Sequence, residues 1–133
     1  MFKYLGVFAM ALMLAACHGN AGSSDPLVGT YGVEGRDAVH PLLKIERDGD
    51  RYLAYDPDKD GRWEPLREKI SPFTAADLSA LSGRSEPDDV TGIKANTFVF
   101  FKVPIGWSVP GFQTRTGYVV FVALKLVDLQ RMP

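Results

Sequence analysis

The order of apolar and polar positions changes character along this chain, and each change predicts an element. Residues 5–14 are almost continuously apolar and follow Lys3. A run of that length is too short to span a bilayer as a helix and has the form of the h-region of a secretory signal. Residues 18–25 are small and polar, a composition that suits a flexible tether. Beyond them the pattern turns to alternation, the period of half-buried strands.

Gly29, Thr30, Tyr31, Gly32 and Val33 form a short strand candidate. Residues 42–47 and 50–55 flank Asp48-Gly49, a pair that supplies the positive φ angles of a tight hairpin turn, and Ile45, Tyr52, Leu53 and Tyr55 suit the two arms. Residues 62–70 predict a further strand, which Pro65 confines to a sheet edge or a bulge because it lacks a backbone donor.

One segment carries helix signals. Thr74 and Asp77 have capping-box spacing, residues 75–81 favour helix, and Gly83 stands where a left-handed cap belongs. Leu78 and Leu81 are expected to share its buried face. Residues 82–92 read as loop. In the C-terminal third, residues 97–103 and 118–127 are apolar on both faces, as central strands covered on two sides would be. The expected fold class is α+β: a strongly bent antiparallel sheet, or small incomplete β-barrel, of five to seven strands with one short helix.

The only cysteine changes this picture. Leu14-Ala15-Ala16-Cys17 directly follows the apolar run, and the four residues resemble the lipobox of bacterial lipoproteins. That resemblance implies removal of residues 1–16 as a signal peptide, acylation of Cys17, a lipid-bearing tether over 17–26 and one globular domain over 27–133. His18, in place of an Asp, implies an outer-membrane anchor facing the periplasm; a Gram-positive anchor stays open as the alternative. With its single thiol committed to lipid, the domain must be held by its core.

Charge adds less. Fifteen Lys and Arg oppose 16 Asp and Glu, so nothing marks nucleic acid as a partner. The distribution is uneven, since Asp128 is the only acidic residue from Thr91 onward, against Lys94, Lys102, Arg115, Lys125 and Arg131.

Candidate chemistry is sparse. The histidines are His18, in the tether, and His40, before Pro41; no nucleophile motif or zinc spacing accompanies them, so the expectation is a non-enzyme. Asp56, Asp58 and Asp60 followed by Gly61 resemble the start of a calcium loop of the EF-hand kind, but the twelfth position is Arg67 where a bidentate Glu should close the site. Calcium is therefore a secondary expectation beside a plain connecting loop. The segment 104–117, stiffened by Pro104 and Pro110, carries Ile105, Trp107, Val109 and Phe112 and ends in the cation Arg115. These are residue types that dominate protein recognition, although Trp107 and Phe112 are equally suited to folding back over the sheet.

The sequence thus leads to a lipid-anchored periplasmic binding protein. In size, anchoring and strand content it is similar to small lipoproteins that inhibit lysozyme or neutralise toxins delivered by neighbouring bacteria. The resemblance implies steric capture of a secreted toxin or hydrolase, by the Trp107 loop or the acidic 56–60 loop. The alternatives are a structural or assembly lipoprotein of an envelope complex, or a binder of small apolar ligands, the latter because Gly29, Thr30 and Tyr31 resemble the opening strand of lipocalin-like barrels.

Overall fold

The computed structural model describes residues 25–133; the signal segment, Cys17 and the tether up to residue 24 lie outside the described residues. Nine strands form one antiparallel sheet that curls into a half-barrel, more than the five to seven expected. They are β1 (Gly29–Glu34), β2 (Val39–Asp48), β3 (Arg51–Pro57), β4 (Trp63–Pro65), β5 (Ser71–Thr74), β6 (Thr91–Lys94), β7 (Phe98–Lys102), β10 (Tyr118–Val122) and β11 (Lys125–Met132). Between β7 and β10, β8 (Ser108–Val109) and β9 (Phe112–Gln113) make a separate small hairpin. The order across the sheet is β4-β3-β2-β1-β11-β10-β7-β6-β5, so the first and last strands of the domain pair at its centre.

The curl follows from one short connection. The edge strands β4 and β5 are joined by residues 66–70 alone, a link that reaches at most about 20 Å. A flat nine-stranded sheet would separate its edges by about 38 Å at the usual strand spacing. The link crosses the open seam and packs Leu66 and Ile70 against the interior cluster. Glu68 fastens it by accepting hydrogen bonds from the Thr97 N–H (2.8 Å) and hydroxyl (2.7 Å).

Alternation along β7 and β10 divides the apolar residues between two cores. Phe100 and Val120 point inward with Tyr31, Leu43, Ile45, Ala54, Ile93 and Leu129. Phe101 and Val119 point outward with Phe73, Leu78, Val90, Val103 and Trp107. These strands are covered on both faces, as their continuous apolar runs imply. Gly92, opposite Phe101, permits that packing, because a Cβ there would stand 2.4 Å from the Phe100 carbonyl oxygen.

The interior is filled by rings. Tyr31 is fully buried, 4.7 Å from Phe100 and 5.0 Å from Tyr118 between centroids, and its hydroxyl donates to the Leu27 carbonyl at 2.7 Å. Burial pushes the Tyr31 hydroxyl pKa up.

Helix α1 (Ala75–Ser82) has the expected ends: Thr74 and Asp77 exchange the capping-box hydrogen bonds, and Gly83 closes it at φ 76°. Leu78 is buried but Leu81 is 61% exposed, against expectation, because eight residues offer only a narrow stripe to the sheet. Three other differences concern connections. The 118–127 run is not one strand; it turns at Ala123-Leu124 (φ 51° and 64°) into the β10–β11 hairpin. The first hairpin turns at Gly49-Asp50, one residue later than expected, with Gly49 at φ 66°. The 82–92 loop ends early, since Thr91 opens β6. Pro65 does stand on an edge strand, β4. Asp25, assigned to the tether from sequence, is fixed to the β2–β3 hairpin by Arg47 (2.7 Å) and the Tyr52 hydroxyl (2.9 Å).

Candidate functional site

The outer core is only partly covered, and the uncovered part is an open groove of about 320 Å³. Its walls come from four places: Leu78 and Leu81 on α1, Phe101 on β7, Trp107, Val109 and Pro110 on the β8–β9 hairpin, and Phe121 and Leu126 on β10 and β11. Apart from Ser82 the lining is apolar. The exposed Leu81 stands at its rim, so the groove presents apolar surface to solvent.

Trp107 is the fixed element of this site. It is 9% exposed and meets Phe101 edge-on at 5.7 Å between centroids. Its indole N–H donates to Glu86 at 2.7 Å, and the Glu86 side chain, 2% exposed, also accepts from Arg84 at 2.9 Å. The Arg84 guanidinium lies over the indole, 5.6 Å from its centroid, and donates to the Ser108 carbonyl. The loop after α1 therefore clasps the indole by charge, hydrogen bond and stacking together. A buried carboxylate satisfied in this way becomes costly if one partner is removed. Replacing Glu86→Ala is expected to cost about 1–3 kcal/mol and to shift Trp107 emission to the red, measured in a Trp63→Phe background; unchanged emission would contradict the clasp.

The hairpin that carries Trp107 is held from β11. Asp128 accepts from the Thr114 and Thr116 hydroxyls and from the Arg115 N–H (2.8 Å), and the Thr114 N–H donates to the Trp107 carbonyl at 2.9 Å. Burial raises the Asp128 pKa, but the bonds from Thr114, Arg115 and Thr116 outweigh it and leave the carboxyl below its ordinary value.

The four recognition residues expected from the 104–117 segment do not form one patch. Trp107 is a groove wall, and half-buried Phe112 packs against the same outer core. Ile105 is 76% exposed. Arg115 is exposed as well, and lines a separate polar depression with Glu34, Asp128 and Gln130, 3.4 Å from Glu34. Of the two placements open for Trp107, the structure has the one folded back on the sheet, because the indole ring has an apolar partner in Phe101 and a buried acceptor in Glu86.

The acidic loop is organised as a turn. Asp58 accepts from the N–H groups of Asp60 (2.8 Å) and Arg62 (2.9 Å), an arrangement that closes the β3–β4 connection. Among the described residues, Asp56, Asp58 and Asp60 included, no group of three or more His, Cys, Asp or Glu side chains is placed to hold a metal ion. Among them also, no helix is long and apolar enough to cross a membrane.

Sequence reasoning missed most of the groove. Leu81 was legible as a helix-face residue, Val109 and Pro110 as parts of the 104–117 loop, and Phe121 and Leu126 as parts of an apolar strand run, but nothing local showed that they converge, because that depends on the β8–β9 hairpin folding over β7 and β10. Arg84 and Glu86 lay in a segment legible only as loop. The chain is thus of the class of curled antiparallel half-barrels with a helix and a hairpin packed on the outer face. Comparison with protein-family models, curated proteins and solved structures found no match.

Proposed function

We propose that the chain is an envelope lipoprotein, anchored through Cys17, whose domain captures a protein partner in the periplasm as an immunity or inhibitor protein against a secreted, envelope-targeting enzyme. The observation that carries this reading is the open apolar groove with its immobilised Trp107 wall. Apolar surface already shaped and held in place binds at a smaller entropic cost than a surface that must be ordered on contact. Trp107 acts by shaping the groove. The partner's apolar side chains enter between Leu81, Val109 and Leu126, and the bulk of the half-barrel then blocks its substrate cleft.

The filled interior favours protein capture over a small apolar ligand held inside the barrel, since Tyr31, Phe100 and Tyr118 occupy that space. No catalytic step is assigned to the domain.

The test has two arms. Radiolabelled palmitate is expected to enter the wild-type chain and to be lost with Cys17→Ser, which should also leave the membrane fraction. The mature chain is expected to retain and inhibit a hydrolase from periplasmic extract or from toxin-bearing competitors. Leu81→Asp, at an exposed position, should weaken retention at least about tenfold without lowering Tm, as expected for an anchor inside an interface. Retention of no hydrolase by the wild type, or equal retention by both forms, would sink the capture reading.

A further inference from the structure

The β10–β11 turn is built against the preferences of its own geometry. A two-residue hairpin loop with positive φ at both central positions favours Asn-Gly, Asp-Gly or Gly-Gly. Here the two residues are Ala123 (φ 51°) and Leu124 (φ 64°), where a Cβ clashes and a branched side chain gains nothing from burial. Leu124 is 91% exposed, and Val122 beside it is 36% exposed. Strained backbone carrying an exposed leucine is a feature that folding alone does not explain.

The surroundings of the turn point to a partner. Leu124 borders a shallow depression of about 320 Å³ formed with Phe98, Val99 and Phe121. Phe121 also lines the outer-face groove, so the apolar surface runs from the groove to the turn. Lys94 lines the same depression, and Lys125 directly follows the leucine. Neither lysine takes part in an ion pair among the described residues. Two carboxylates stand nearby: Glu68 is bonded to Thr97, and Asp77, which feels the charge of Lys94, is held by its cap bonds with Thr74.

Continuity with the groove favours a protein as the partner, and the turn's place on β11 says which end of the domain that partner meets. Strand β11 runs from the turn, where Lys125 pairs with Val122, to Met132, which pairs with Thr30 at the start of the domain. Arg131 donates there to the Val28 carbonyl. The turn and the tether exit therefore stand at opposite ends of β11, about 24 Å apart. Leu124 is thus at the end of the sheet remote from Asp25, where the described chain begins.

We infer that the Ala123-Leu124 turn is a docking knob for a protein partner that offers an apolar socket edged by carboxylates, with Leu124 entering the socket and Lys94 and Lys125 meeting its acidic rim. This inference rests on the protein-capture reading above and names the face that makes first contact. Opposite charges at the rim speed encounter, and the leucine holds the complex once formed.

The test places a benzophenone side chain at position 124, or separately at position 81, of the full-length chain in its native host. A crosslink from 124 to an envelope protein is expected, mapped by mass spectrometry to an acidic and apolar segment and reduced at least about tenfold by Lys94→Glu with Lys125→Glu. Crosslinks from 81 alone would leave the capture reading standing and overturn the knob. No protein crosslink from either position would overturn both, and crosslinks from 124 to lipid or to a second copy would overturn the knob. Vesicles of phosphatidylethanolamine and phosphatidylglycerol are expected not to carry down the chain with Cys17→Ser, which lacks the proposed lipid; sedimentation of that chain abolished by Leu124→Asp would make the turn a membrane contact instead and overturn the knob. The double variant Ala123→Asn, Leu124→Gly is expected to raise Tm by about 3–6 °C through relief of the turn. A lowered Tm would show that the leucine is kept for stability and would overturn the inference.

Discussion

Truncation of Phe100→Ala is expected to be the most damaging single change in the domain, at about 3–5 kcal/mol, the range for removing a buried aromatic ring. Phe100 is fully buried on β7, paired with Val120 on one side and Ile93 on the other, and its ring meets Tyr31 at 4.7 Å. Those neighbours are themselves pinned: Tyr31 by its hydroxyl bond to Leu27, Val120 by the β10 ladder. The wall cannot collapse into the space left behind, so the loss includes a cavity term. Against a total stability of about 5–15 kcal/mol, this is enough to lower Tm by more than about 10 °C. Urea denaturation of wild type and variant measures it. A cost below about 1.5 kcal/mol would mean that the interior is loosely packed, and would restore the small-ligand alternative that the ring-filled interior disfavours.

Phe100 also shows how far the fold could be read from sequence. The run Phe98, Val99, Phe100, Phe101 is apolar at every position, which signals burial on both faces. The rest of its setting depended on contacts distant in sequence. Nothing local told that β1 and β11 would pair at the centre of the sheet, or that the five-residue link after β4 would force the curl.

Turn chemistry marks the boundary between what was legible and what was not. Asp48-Gly49 announced its hairpin to within one residue because Gly49 takes the positive φ itself. Ala123-Leu124 announced nothing, since neither residue favours that conformation, and the run through it was read as one strand. Helix α1 was legible at both ends because its caps are local, whereas the exposure of Leu81 depends on how α1 lies on the sheet. The same holds for the candidate site. Trp107 stood out by residue type, but its placement follows from Phe101 and Glu86, which a reading confined to the 104–117 segment could not weigh.

Asp128→Asn is expected to cost about 1–3 kcal/mol at neutral pH, together with a changed pH dependence. The wild-type carboxylate receives only donors: two hydroxyls and one backbone N–H. An asparagine in its place must turn its NH₂ group toward at least one of them, and leaves buried Thr114 with a poorer partner. Asp128, like Asp25 and Asp77, has a pKa below its ordinary value in the fold. A carboxyl whose folded pKa is depressed stabilises above the unfolded value, near about 4. That contribution fades as pH falls through the folded pKa, because the unfolded chain then binds more protons. Wild-type stability should therefore hold between about pH 5 and 7 and decline below about pH 4, and the gap between wild type and variant should narrow as the wild-type carboxyl protonates. Urea denaturation at pH 7, 4 and 3 checks it, and a gap that stays constant across that range would show that the negative charge is not what holds the Thr114 turn. Since Thr114 in turn bonds the Trp107 backbone, acid should also loosen the groove wall before the domain unfolds, visible as a red shift of Trp107 emission ahead of the main transition.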